Sequence, residues 1–238
     1  MSVGEVWAGL TDLLLPAECA GCRERGVPLR QGACDACVTE LEALRPRAAR
    51  PTPAPAGLPG CVALGEYDGA LREVLLAYKE RGRHGLARPL GTLLADVVAA
   101  AAGGVPRGVL LVPVPATAKA ARARHGDHLW RLARHAAGPL RRAGWPVALA
   151  RPLRALPRAD SATLDSAGRA AAAAASFRVR ATRMAGLRRV AAGRLVIVLD
   201  DIVTTGATLA AVSDLLRDVG VRVDRAALLA ATRRRDVR

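Results

Sequence analysis

One run constrains this chain more than any other: Val196-Ile197-Val198-Leu199-Asp200-Asp201-Ile202-Val203-Thr204-Thr205-Gly206-Ala207-Thr208. Its four leading apolar residues read as a buried strand, with two adjacent carboxylates at the carboxyl end. A Thr/Gly-rich turn follows, then Leu209, Val212, Leu215 and Leu216 at helical spacing. Ligands of open α/β sheets bind outside the carboxyl ends of the strands. A strand–turn–helix junction there offers orphan backbone N–H groups and a positive dipole end to a phosphate. Thr204, Thr205 and Thr208 add hydroxyl donors, and Gly206 lets the backbone approach without a Cβ. Asp200 and Asp201 would repel a phosphate, so they are read as acceptors for a sugar diol, directly or through a metal. The competing reading is an ordinary core strand with acidic residues in its exit turn.

Four of the cysteines form two Cys-x2-Cys pairs, Cys19/Cys22 and Cys34/Cys37, joined by a short loop. Two such knuckles can wrap four thiolates around a tetrahedral Zn2+. All four positions would then be filled, which makes the site structural. A labile iron site and redox dithiols are the alternatives. Gly21 relieves the first knuckle's turn, and Gly26 and Gly32 lie in the connecting loop. Cys61 falls in a later apolar segment and reads as a core thiol.

The chain has 238 residues, 51% of them apolar, which suits one α/β domain with a small appendage. Its 36 Lys+Arg against 21 Asp+Glu give a net charge of +15. Such a surface attracts nucleic acid or a polyanionic small molecule, although Arg and Ala richness also follows from a GC-rich genome. Aromatic residues are only 3%, which argues against a broad base-stacking platform. The N-terminus carries Glu5 and Asp12 and no basic leader. No apolar run reaches the ~18–20 residues that span a bilayer. The expectation is a soluble cytoplasmic protein without membrane insertion.

Residues 3–15 read as a short amphipathic helix ended by Pro16. The cysteine module and a short helix through Leu41 and Leu44 complete a unit over 1–45. Residues 46–60 carry Pro46, Pro51, Pro53, Pro55 and Pro59 and read as a linker. The main domain is then 61–238. Strands are predicted at 61–64, 109–112, 147–149, 194–199 and 221–230. Helices are predicted from Asp68, as N-cap, through Tyr78, and over 86–102, around Leu129–Ala133, over 162–175 and over 206–218. An Arg-rich loop is predicted over 151–160. Alternating strands and helices imply α/β architecture with a mostly parallel sheet and right-handed crossovers.

With these pieces placed, the run 196–208 looks like the phosphoribosyl-pyrophosphate motif of type I phosphoribosyltransferases. The chain as a whole resembles the ComF family, phosphoribosyltransferase-like proteins with an N-terminal zinc knuckle. Leu13-Leu14-Leu15-Pro16 before the first cysteine, Tyr78-Lys79, and Val112-Pro113-Val114-Pro115 carry the likeness, as do Leu164, Arg169 and Phe177 by spacing. Three places depart from it. Arg124-His125-Gly126-Asp127-His128 stands where the family usually shows Arg-Gly-Phe-Asn-Gln. Ser161 replaces a frequent Gln, and Ala172 a frequent Asn.

The resemblance implies a type I phosphoribosyltransferase fold that binds phosphoribosyl pyrophosphate or a related ribose phosphate with Mg2+, the acceptor unknown. Thr204, Thr205, Gly206, Ala207 and Thr208 would take the 5-phosphate. Asp200 and Asp201 would be the catalytic pair, one a ribose binder and one a general base, in either order. Pro113, Val114 and Pro115, continuing through Ala116 and Thr117, correspond to the pyrophosphate loop, with Lys119 a further contact. Arg124, Arg158, Arg169 and Lys79 are candidate phosphate clamps, each also readable as a solvated surface cation. His125 and His128 could share a helix face as a metal pair; exposed or capping histidines are favoured. Asp127 reads as a surface ion-pair partner of Arg124. ComF proteins are associated with natural competence. A non-catalytic accessory of DNA uptake that binds single-stranded DNA is therefore the alternative, and a ligand-responsive regulator the third.

Overall fold

A computed structural model of the chain describes residues 18–157 and 175–232. The helix predicted over 3–15, nearly all of that predicted over 162–175, and Arg158, Ser161, Leu164, Arg169 and Ala172 lie outside the described residues. The chain divides into two units. One comprises residues up to Leu44 together with Asp68–Leu86; the other comprises Arg45–Tyr67 and the residues from Ala87 onward. The helix beginning at Gly69 thus groups with the cysteines, and the segment predicted as a linker groups with the sheet.

In the first unit, α1 (Asp35–Ala43) packs on α2 (Gly69–Lys79). Helix α2 buries Leu71, Val74, Leu75 and Tyr78, the stripe its spacing predicts. Its cap differs from the prediction. Asp68 occupies the N-cap position but its side chain makes no capping bond. Glu40 Oε1 of α1 instead accepts from the Ala70 N–H at 3.0 Å, satisfying one of the helix's orphan donors across the unit. A 3-10 turn, His84–Leu86, follows. Before it, Arg83 donates to the carbonyls of Glu18 and Gly32, tying both ends of the cysteine loop to one guanidinium.

The second unit is mixed α/β. Among the described residues six strands form one sheet: β1 (Arg47–Ala49), β2 (Gly60–Glu66), β3 (Val109–Pro113), β4 (Val147–Leu149), β7 (Leu195–Val203) and β8 (Arg225–Ala231). Their order is β1-β2-β8-β7-β3-β4, with every pairing parallel except β1 on β2. Val109–Val112, Ile197–Leu199 and Ala226–Ala230 are almost wholly buried, as continuous apolar strands of a covered parallel sheet should be. A separate antiparallel pair joins β5 (Leu153–Ala155) to β6 (Phe177–Val179).

Helix α3 (Ala87–Ala101) packs along β2 and β8, and α5 (His128–Arg142) along β3, β4 and β7. These two helices pack on each other. Their crossing is tight because Gly91 has no Cβ; one would stand 2.4 Å from His135 Cβ. Short α4 (Ala118–Ala123), α6 (Met184–Ala191) and α7 (Ala207–Asp218) complete the described helices. From β3 the chain passes outward through α5 to β4; from β7 it passes the other way through α7 to β8. The carboxyl ends of β3 and β7 are therefore the sheet's switch point, where ligands of such sheets bind.

Candidate functional site

The four cysteines converge as their spacing predicts. In the first knuckle, the Arg23 N–H bonds back to the Cys19 carbonyl at 3.1 Å, with Arg23 at φ +67°. In the second, Arg30 and Ala33 exchange backbone bonds of 2.7 and 3.2 Å, and Gln31 and Gly32 have positive φ. Helix α1 then starts directly after Cys34 and carries Cys37 in its first turn. The four sulfurs lie within 4.8 Å of one another, and Cys22 Sγ is 3.7 Å from Cys34 Sγ. Zn–S bonds near 2.3 Å at tetrahedral angles place sulfurs roughly 3.8 Å apart. The donor set is close enough to hold a metal ion and is compatible with a structural zinc.

The surroundings of Cys19 favour its thiolate. Burial opposes charge on Cys19, but backbone N–H groups outweigh it, including Cys34 N at 3.2 Å and Gly21 N at 3.4 Å, and bring its pKa down to about 6. Burial and the neighbouring sulfurs push Cys37 upward, and a bound metal cation favours the thiolate form of its ligands. Gly21 serves packing more than a turn. A Cβ there would stand 2.6 Å from Cys37 Sγ.

At the switch point, β3 pairs with β7 up to Pro113 opposite Leu199, and the Val114 N–H bonds the Leu199 carbonyl at 2.9 Å. Asp200 and Asp201 are the next two residues of β7, where Asp200 is still paired with Leu228 of β8 on the other side. Alternation along the strand separates them. Asp201 is buried and Asp200 half-buried. Asp200 Oδ1 accepts from the Asp201 N–H at 3.0 Å. Asp201 Oδ2 lies 3.0 Å from Nε2 of His128.

His128 is where the sequence reading departs most from the structure. It is neither exposed nor on a shared helix face with His125. His125 precedes the helix at φ +52°, while His128 is the first residue of α5 and is buried. Asp127 also has a different setting. Its Oδ1 caps α5 through the Trp130 N–H at 3.1 Å, and its Oδ2 pairs with Arg151 at 2.9 Å. The Arg151 guanidinium sits over the Trp130 ring, 5.1 Å from its centre.

Beyond β7, Thr204 and Thr205 are exposed, Gly206 is buried, and Ala207 and Thr208 open α7 half-buried. Gly206 is left-handed at φ +77°, which favours glycine. Its missing Cβ does not face an open approach. One would meet Leu58 Cδ1 at 2.9 Å and Pro51 Cγ at 3.2 Å. The proline-rich segment therefore packs on this turn. On the β3 side, Val114 is buried and Pro115 half-buried; Thr117 Oγ1 caps α4 through the Ala120 N–H at 3.2 Å. Lys119 is exposed on α4. Lys79 belongs to the other unit.

The arrangement gathers a buried and a half-buried carboxylate, an imidazole and a hydroxyl-bearing helix N-terminus at the carboxyl end of one strand, beside the exit of its neighbour. Neither a family model nor a curated protein matches this chain.

Proposed function

We propose that this protein binds phosphoribosyl pyrophosphate or a related ribose phosphate, with Mg2+, as a ComF-type phosphoribosyltransferase-like protein with a structural zinc. The observation that carries the reading is the placement of Asp200-Asp201 and the Thr204–Thr208 turn at the sheet's switch point. Thr204 to Thr208 would hold the 5-phosphate at the start of α7. Asp200 and Asp201 would engage the ribose hydroxyls. The turn from Pro113 to Thr117 would line the pyrophosphate side, with Lys119 nearby in sequence. Mg2+, when bound, neutralises and orients a pyrophosphate leaving group; the chain's own residues hold and orient the sugar.

Calorimetric titration with phosphoribosyl pyrophosphate and ribose 5-phosphate, with and without Mg2+, tests this. Asp201→Asn should weaken both ligands about ten- to hundredfold, the scale of a charge-assisted hydrogen bond. A parent protein that binds neither ligand at millimolar concentration refutes the reading. Pyrophosphate release over an acceptor panel then separates a transferase from a ligand-responsive regulator. The net charge of +15 supports a second reading, an accessory of DNA uptake that binds single-stranded DNA.

A further inference from the structure

Asp201 is the carboxylate that β7 turns into the protein, and its partner comes from a different element. His128 Nε2 stands 3.0 Å from Asp201 Oδ2, and the two side chains are 11% and 8% exposed. A buried carboxylate is costly unless it accepts hydrogen bonds. A carboxylate oxygen only accepts, so the bond forms with the tautomer in which Nε2 carries the proton and donates. The bond commits Oδ2 and fixes the carboxylate's rotation about its Cβ–Cγ axis.

The bond also joins the two sides of the switch point. Asp201 lies on β7 just past its last residue paired with β3. His128 opens α5, the second helix after β3, and Asp127 holds that helix start by capping Trp130 and pairing with the stacked Arg151. The helix start that carries the imidazole is thus held in place, and Nε2 is aimed at one carboxylate oxygen.

We propose that His128 is a positioning residue, which sets the orientation of Asp201 toward a ribose hydroxyl and thereby tunes affinity for the sugar part of the ligand. This rests on the ribose-phosphate reading above. His128 acts through Asp201 and not by touching the ligand, so its removal should spare recognition of the phosphate.

The test is calorimetry on the full chain with ribose 5-phosphate and, separately, inorganic phosphate, comparing the parent with His128→Phe and His128→Gln. Phenylalanine keeps a flat ring without a donor; glutamine places an N–H donor at the reach of Nε2. His128→Phe should weaken ribose 5-phosphate about ten- to hundredfold and leave inorganic phosphate within about threefold. His128→Gln should restore most of the loss. If the parent binds ribose 5-phosphate and His128→Phe binds it equally well, the proposal falls and the functional reading stands. Equal losses for both probes, or no rescue by glutamine, also overturn it and leave a packing role. A parent that binds neither probe refutes the functional reading, and the proposal with it. Should His128→Phe not fold, 15N spectra of the parent decide. A protonated Nε2 whose resonance moves on adding ribose 5-phosphate is expected; an unprotonated Nε2 overturns the proposal.

Discussion

Gly206 meets two demands at once, a left-handed backbone and contact with Leu58 and Pro51 where a Cβ would sit. Gly206→Ala should therefore cost stability as well as ligand affinity. Holding a non-glycine residue in such a conformation costs on the order of 1–3 kcal/mol, and the Leu58 side chain must also move. Urea unfolding should show a loss of that size. An unchanged midpoint would mean that the turn relaxes freely. Cys61 makes a different prediction. Burial in β2 pushes its thiol up to about 11, against a smaller opposing pull from Arg50. A thiol raised in the folded state adds its stability below the unfolded pKa and loses it as pH climbs through the folded one. Unfolding midpoints should therefore fall between about pH 9 and about pH 11 more steeply in the parent than in Cys61→Ala. Parallel pH profiles would count against a buried, protonated thiol.

At the scale of elements, a few backbone bonds shape the two knuckles and bring four sulfurs within 4.8 Å of one another. Chelating the metal should accelerate hydrogen exchange at Cys19–Cys37, and re-adding Zn2+ should restore protection. A protein with no zinc by elemental analysis, and no change on chelation, would rule the metal out. The cysteine cluster was legible in the sequence because ligand spacing is local, and β3, β7 and α7 were legible because apolar runs and helical stripes are local too. What escaped lacks a local signature. Helix α4 is six residues long and buries none, and α6 is eight residues long and buries only Leu187, so both are too short for helical periodicity to stand out. Strands β1, β5 and β6 have three residues each. Glu40 capping α2, Gly21 making room for Cys37 and His128 reaching Asp201 are all contacts between distant parts of the chain. His128 did stand out as a departure from the family's usual residue. Its polar neighbours hid its burial.

Across the whole molecule, the excess of arginine sets long-range behaviour more than fold. A net charge of +15 with 3% aromatic residues predicts sequence-blind binding of single-stranded DNA, driven by counterion release. Filter binding over a salt series should give a logarithmic affinity that falls linearly with the logarithm of salt concentration. A flat line would exclude that source of affinity. The sheet's margins carry a separate consequence. A strand at the rim of a sheet is a template on which another chain can add itself through backbone pairing. Among the described residues the rims are β1 and β4, each three residues long, and exposed Arg47 on β1 is ion-paired with Glu66 at 2.7 Å. Each rim offers a foreign strand only a stub of ladder. The apolar segments Val196–Leu199 and Ala226–Ala230 are confined to the interior, where neighbouring strands already use their backbone groups. The fold thus shields these apolar strands from other copies of themselves, and that protection lasts while β2 and β3 stay paired beside β8 and β7.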